Sequence, residues 1–102
     1  MKKYKLLYLP GFLDDLNEAV DYITDVLENP QAASDLIIKT DEAIQRRLQM
    51  PLGYEPFRSK RDRKNTYYRI YVGNYTVFYV VIDDVMEVRR FLYSARDFDR
   101  LL

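Results

Sequence analysis

YYRIYVGNYTVFYVVIDDVMEVRRFLY, residues 67–93, decides the fold. Tyr, Val, Ile and Phe dominate it, the β-branched and aromatic types that suit a pleated, half-buried surface. Gly73-Asn74 splits the run into Tyr67–Val72 and Tyr75–Ile82, and a two-residue pair of this kind closes a tight hairpin. Asp83-Asp84 makes a second turn before Val85–Tyr93. Three strands in immediate succession predict an antiparallel meander. Simple alternation puts Val88, Arg90 and Leu92 on one face of the last strand and Arg89, Phe91 and Tyr93 on the other.

Upstream the period changes. Phe12, Leu16, Ala19, Val20, Ile23 and Leu27 recur at the spacing of one helix face. Asp14, Asp15 and Glu18 lie early in that helix, where its dipole favours negative charge. Asn29-Pro30 ends it and opens a second helix, which buries Ala33, Leu36, Ile37, Ile44 and Leu48 and stops at Pro51 and Gly53. Before both helices, KYKLLYL (residues 3–9) is a short strand ended by a Pro10-Gly11 turn. The order is β-α-α-β-β-β. It predicts an α+β fold, with a helical hairpin packed on one face of a four-stranded, mainly antiparallel sheet. At 102 residues, 1–102 reads as a single domain.

Composition narrows the chemistry. The chain has no cysteine and no histidine, which removes thiolate metal sites, Cys nucleophiles and the commonest general acid–base group. No metal or cofactor is expected. No window is apolar enough for a membrane span, and the basic start MKKYKLLYLPGF has too short an apolar run for a secretion signal, so a soluble cytoplasmic domain is expected. The net charge of zero hides an asymmetry: residues 1–54 hold six basic and nine acidic groups, residues 55–102 ten and seven. Residues 58–69 alone hold six basic groups against one acid.

That cluster (Arg58, Lys60, Arg61, Arg63, Lys64, Arg69) runs into Tyr67, Tyr68 and Tyr71. Cations beside aromatic rings offer phosphate contacts and base-stacking surface, the needs of single-stranded nucleic acid. A solvated loop that keeps an edge strand from aggregating explains the cluster equally well. In GYEPFR, residues 53–58, Glu55 is a lone carboxylate beside this charge. It can take a proton from a ribose 2′-hydroxyl, with Arg and Lys stabilising the phosphorane, or it is a turn residue neutralised by Arg58. Arg96 and Asp97 close the last strand, with Asp97 placed to cap a short DFDRLL helix and Arg96 able to pair with Asp97 or Asp99. Most of the ten tyrosines read as packing residues. Tyr93, at a strand end near Arg96, is the one singled out.

Taken together, YRIYVGNYTVFYVVIDD and VRRFLYSARDFDRLL, in that order after a helical hairpin, resemble the RelE/ParE superfamily of bacterial toxin–antitoxin toxins over almost the whole chain. The resemblance implies the fold just argued and a toxin held by a cognate antitoxin. RelE- and YoeB-like members cleave mRNA in the ribosomal A site without a metal; ParE-like members poison DNA gyrase. Carried over residue by residue, Glu55 matches the YoeB-like general base and Arg69 the arginine that opens the central hairpin. Lys60, Arg61 and Lys64 resemble the basic residues of the RelE-type loop, with Arg58 and Arg63 beside them as RNA contacts. Tyr93 falls at or beside a position often held by histidine or tyrosine, and Arg96 is placed to hold phosphate. Thr76 stands where YoeB-like enzymes have a phosphate-binding arginine, and the Ala-Arg-Asp ending is common in ParE-like members. The expectation is a ribosome-dependent mRNA endonuclease. The alternatives are a gyrase inhibitor, or an inactive member that binds only its antitoxin.

Overall fold

The computed structural model describes residues 2–61 and 63–102. Strand β1 (Lys5–Tyr8) leads into helix α1 (Pro10–Asp21), which continues as a π-helical turn, Tyr22–Val26. Helix α2 (Pro30–Leu48), strands β2 (Tyr68–Val72), β3 (Tyr75–Ile82) and β4 (Val85–Tyr93), and the short helix α3 (Phe98–Leu101) complete the order. The sheet order is β1-β4-β3-β2. β1 runs parallel to β4, and the other two pairings are antiparallel. None of these helices is long and apolar enough to cross a membrane.

The two hairpin turns are those the sequence expects. Gly73 and Asp83 both adopt the left-handed backbone, at φ +57° and +56°, a region that Gly enters freely and Asp tolerates. α1 and α2 share one face of the sheet. Phe12 and Ala19 from α1 and Ala43 and Ile44 from α2 meet Val77, Tyr79, Val88 and Phe91 in one cluster. At α2's start Asn29 accepts a bond from the Ala32 N–H at 3.1 Å and Pro30 takes the first helical position.

Four details depart from the sequence reading. Pro10-Gly11 is not a turn: Pro10 opens α1, at a position where its missing N–H costs nothing. Gly11 is there because a Cβ would stand 3.2 Å from the Arg89 carbonyl oxygen, so the helix start lies directly on β4. Second, β4 carries a bulge. Phe78 pairs with Arg90 but Tyr79 pairs with Val88, which leaves Arg89 with no partner of its own. Val88 and Phe91, three apart, therefore both face the helices and Leu92 faces away, while Arg90, opposite Phe78, reaches round the strand edge to Asp15 of α1, so strict alternation fails. Third, the π turn, closed by Leu27 N–H to Tyr22 C=O at 3.1 Å, adds a residue to one turn and rotates the side chains beyond it. Leu27 is consequently exposed. Fourth, Thr40 takes the central buried place on α2, and Ile37 lies at the margin, 45% exposed.

The sheet's other face is also packed. Phe78 is fully buried, with Phe98 of α3 at 4.7 Å and Phe57 at 5.5 Å between ring centroids. The candidate groups on this face are arranged around that small aromatic cover.

Candidate functional site

The segment from Pro51 to Phe57 crosses from the end of α2 to the β2 edge. Phe57 anchors its far end: its N–H donates to the Tyr67 carbonyl at 2.7 Å and its ring lies edge-on to Phe78. Near its other end Tyr54 lies under the Arg47 guanidinium, 3.5 Å from the ring centroid. Glu55 sits between these anchors and points to solvent. Arg58 approaches it at 3.8 Å, with the two side chains 90% and 74% exposed, so this ion pair is open and weakly held.

Arg69 lies beside this loop. Its guanidinium is 5.2 Å from the Phe57 ring centroid and 5.7 Å from that of Tyr71. Residues 69 and 71 share the face turned from the helices, as their partners Phe78 and Thr76 do. Tyr71 is 64% exposed. A cation over two rings, one ring open to solvent, is a surface on which a phosphate and a base can both be placed.

The basic loop divides into free and committed charges. Arg58, Lys60, Arg61 and Lys64 are exposed. Arg63 is not free: it donates to the Ser59 hydroxyl at 2.8 Å, the Leu102 carbonyl at 3.0 Å and the Asp99 carbonyl at 3.0 Å, and pairs with the Asp99 carboxylate. Asp99 also accepts from the Ser59 hydroxyl and the Lys60 N–H. The Ser59 hydrogen bond, followed by the Lys60 N–H, holds the Asp99 carboxyl below the usual range. This knot ties the basic loop to α3. Arg63, expected among the RNA contacts, is a structural staple, and Arg63 rather than Arg96 is the cation that pairs with Asp99. Asp97 stands at the α3 N-cap but makes no side-chain cap bond.

Tyr93 and Arg96 lie elsewhere. Tyr93 pairs across the sheet with Tyr75, whose ring stacks on Phe91 at 4.8 Å, so it projects from the helix side. Both residues line an open cleft of about 850 Å³ together with Tyr22 of the π turn, Glu18 and Asn74. Arg90, another wall of this cleft, is held by Asp15 at 2.6 Å and by the Leu101 carbonyl. Of the four residues expected to act together, Tyr93 and Arg96 line this cleft, whereas Arg69 lies by Phe57 on the other face of the sheet and Glu55 sits exposed on the loop that Phe57 anchors.

Tyr71 is one of the three tyrosines that the sequence offers as stacking surface after the basic cluster. Arg47, reaching from α2 on the helix side, is the residue that escapes the sequence reading. Arg47 carries no local signal, being one of two arginines in a helix's last turn. Its side chain crosses to β2 and β3, where Nη1 donates to the Arg69 carbonyl at 3.0 Å and the Tyr79 hydroxyl at 2.9 Å. Burial pushes the Tyr79 hydroxyl's pKa up, so it stays a donor, to the Pro51 carbonyl at 2.6 Å. Thr76 is fully buried with its hydroxyl 2.8 Å from that of Ser94, so this position offers no phosphate contact.

The family model for the ParE toxin of type II toxin–antitoxin systems (parDE) matches residues 6–98. A chromosomal ParDE system from P. aeruginosa has a similar fold, with a TM-score of 0.72 at 13% identity, over 88% of this chain and 95% of that one. The RelB-RelE antitoxin–toxin complex from Methanococcus jannaschii gives a TM-score of 0.51 at 23% identity, over 94% of this chain and 99% of that one. No curated protein matches the sequence. A small α+β fold with a helical hairpin on a four-stranded mixed sheet is the architecture shared with these structures. The chain belongs to the ParE family of type II toxins, within the RelE/ParE superfamily.

Proposed function

We propose that this toxin is a metal-independent endonuclease that cleaves mRNA on the ribosome. The carrying observation is Arg69 set over the Phe57 and Tyr71 rings, with the exposed Arg58, Lys60, Arg61 and Lys64 on the neighbouring loop and Glu55 exposed on the span that Phe57 anchors. Lys and Arg hold the RNA backbone, and Tyr71 gives a base a ring to stack on. Glu55 removes the 2′-hydroxyl proton as the 2′-oxygen attacks the adjacent phosphorus, and Arg69 meets the charge that builds on the phosphorane. The P–O5′ bond then breaks to leave a 2′,3′-cyclic phosphate and a 5′-oxygen that takes its proton from water. Tyr93 projects from the helix side and lines the cleft with Arg96, and neither takes part in this arrangement.

A cognate antitoxin restrains it. The helical hairpin, residues 10–48, carries nine acidic and three basic groups, while the loop beyond it is basic. Between the helices a groove of about 140 Å³ is walled by Leu13 and Ile37, each 45% exposed. An antitoxin that reaches both surfaces gains apolar anchors from the groove and competes with RNA at the loop.

The test is Glu55→Gln in a reconstituted translation system. Cleavage of the message by the parent chain should slow on the order of a hundredfold, with ribosome binding retained. Intact message with the parent chain, or full cleavage by the folded variant, rejects the reading.

A second reading, DNA gyrase inhibition without catalysis, is favoured by the match to the ParE family and by Thr76, buried where YoeB-like nucleases place an arginine. Gyrase-dependent DNA breaks with translation intact would establish it.

A further inference from the structure

We infer that Arg47, reaching from α2 on the helix side to the β2 edge, is a positioning residue that fixes the loop that bears Glu55 to the strand that bears Arg69. Its catalytic meaning rests on the nuclease reading above; its geometry does not.

β2 is an edge strand, and its outward carbonyls have no strand to pair with. Arg47 supplies a donor to one of the β2 carbonyls, that of Arg69, at 3.0 Å. The same Nη1 donates to the Tyr79 hydroxyl at 2.9 Å, and that hydroxyl donates to the Pro51 carbonyl at 2.6 Å. The flat of the guanidinium covers the Tyr54 ring at 3.5 Å. One side chain thus touches the backbone of Arg69, the residue preceding Glu55 and, through Tyr79, the start of the loop. The far end of the loop is held independently by the Phe57 N–H on the Tyr67 carbonyl.

Glu55 is therefore an exposed carboxylate on a short span fastened at both ends. An unfastened surface acid samples many positions, and a catalytic base needs one. Arg46, in the same helical turn, is exposed and makes no such crossing among the described residues, so a general preference for cations at a helix end does not explain Arg47. Lys cannot replace it. A compact ammonium cannot lie flat on Tyr54 while donating in the plane to two oxygens.

The test uses Arg47→Met, Arg47→Lys and Tyr54→Ala in the full chain, with folding checked by thermal unfolding. Without any target, amide hydrogen exchange at Gly53 and Phe57, the loop amides bonded to the Met50 and Tyr67 carbonyls, should quicken about tenfold or more in Arg47→Met and Tyr54→Ala, with β3 amides unchanged. Arg47→Lys should restore little of that protection. In single-turnover cleavage, Arg47→Met should lose on the order of tenfold to a hundredfold in rate with ribosome affinity unchanged. Combined with Glu55→Gln it should lose nothing further, because a residue acting through Glu55 has nothing left to position. Unchanged loop exchange in the folded variants overturns the inference, as does a fully additive loss in the double variant. If the loop loosens while the parent cleaves no message, the nuclease reading falls and the clamp stands.

Discussion

The two faces of the sheet are both closed, but by different means. Under the helices, two long elements cover it and the contacts are chiefly aliphatic and aromatic, from Phe12 to Phe91. On the other face the cover is a few rings, Phe57, Phe98 and Tyr67, with the first two carried on short segments held by polar bonds: Phe57 by a backbone bond to Tyr67, and α3 by Arg63, Ser59 and Asp99. A wide cover buries charge or excludes it. A narrow one leaves Arg69, Tyr71 and the basic loop at its margin, where they are fixed in place and still open to solvent. The helix side supplies the fold's breadth of burial; the far side places groups with defined positions in water.

The sharpest way to break this contrast is to ask whether the narrow cover is a real core. Phe12→Ala and Phe78→Ala should each destabilise by roughly 3–5 kcal/mol, since both rings are buried and neither site can collapse easily. Denaturant unfolding measures both. A Phe78→Ala change that costs under about 1 kcal/mol would make the far side a mobile surface rather than a scaffold.

Arg69→Ala divides the two candidate regions next. It should slow message cleavage about a hundredfold, roughly 3 kcal/mol of barrier, while Arg96→Ala and Tyr93→Phe leave the rate near the parent value. The reverse pattern would move the active surface to the tyrosine cleft. A smaller effect is expected of Tyr79→Phe, which strands the Pro51 carbonyl and costs about 1–2 kcal/mol in stability. Smaller again, Lys60→Ala and Lys64→Ala should each weaken RNA binding a few-fold and flatten its salt dependence by about one counterion.

Acid offers a last, gentle probe. The Asp99 carboxyl titrates below its unfolded value, so its bonds to Ser59, Lys60 and Arg63 stabilise the fold above the ordinary carboxylate range. That contribution is lost as pH falls through the lowered folded value. Amide exchange at Lys60 and Arg61, whose N–H groups bond to Asp99 and Ser59, should quicken there before exchange in β3 does, and simultaneous loss would show that the knot is not an independent unit.

Much of the fold is legible in the strands. Gly73-Asn74 and Asp83-Asp84 set the limits of β3 and β4 because turn chemistry is local, and the apolar spacing of α1 and α2 names most of the core. The features that escape depend on contacts distant in sequence. The Arg89 bulge answers to α1 arriving on β4, which no alternation count can detect. Arg63 reads as one cation in a run of them, and only its approach to Asp99, thirty-six residues on, makes it a staple. Glu55 and Arg69 can be read as neighbours of the basic loop, but Arg47, twenty-two residues before Arg69, cannot. Tyr93 and Arg96 join them only on the assumption that strand ends meet, and the pleat sends Tyr93 to the other side.

The parallel pairing of β1 with β4, Lys5 opposite Val85, has a kinetic consequence. The first strand must wait for partners about eighty positions later, so this closure comes late in synthesis. Until Val85–Val88 emerge, β1 has no partner and α1 has no sheet edge to dock on. A nascent chain short of that point lacks the finished edge. For a toxin, the surface assembles only once Val85–Val88 have been made.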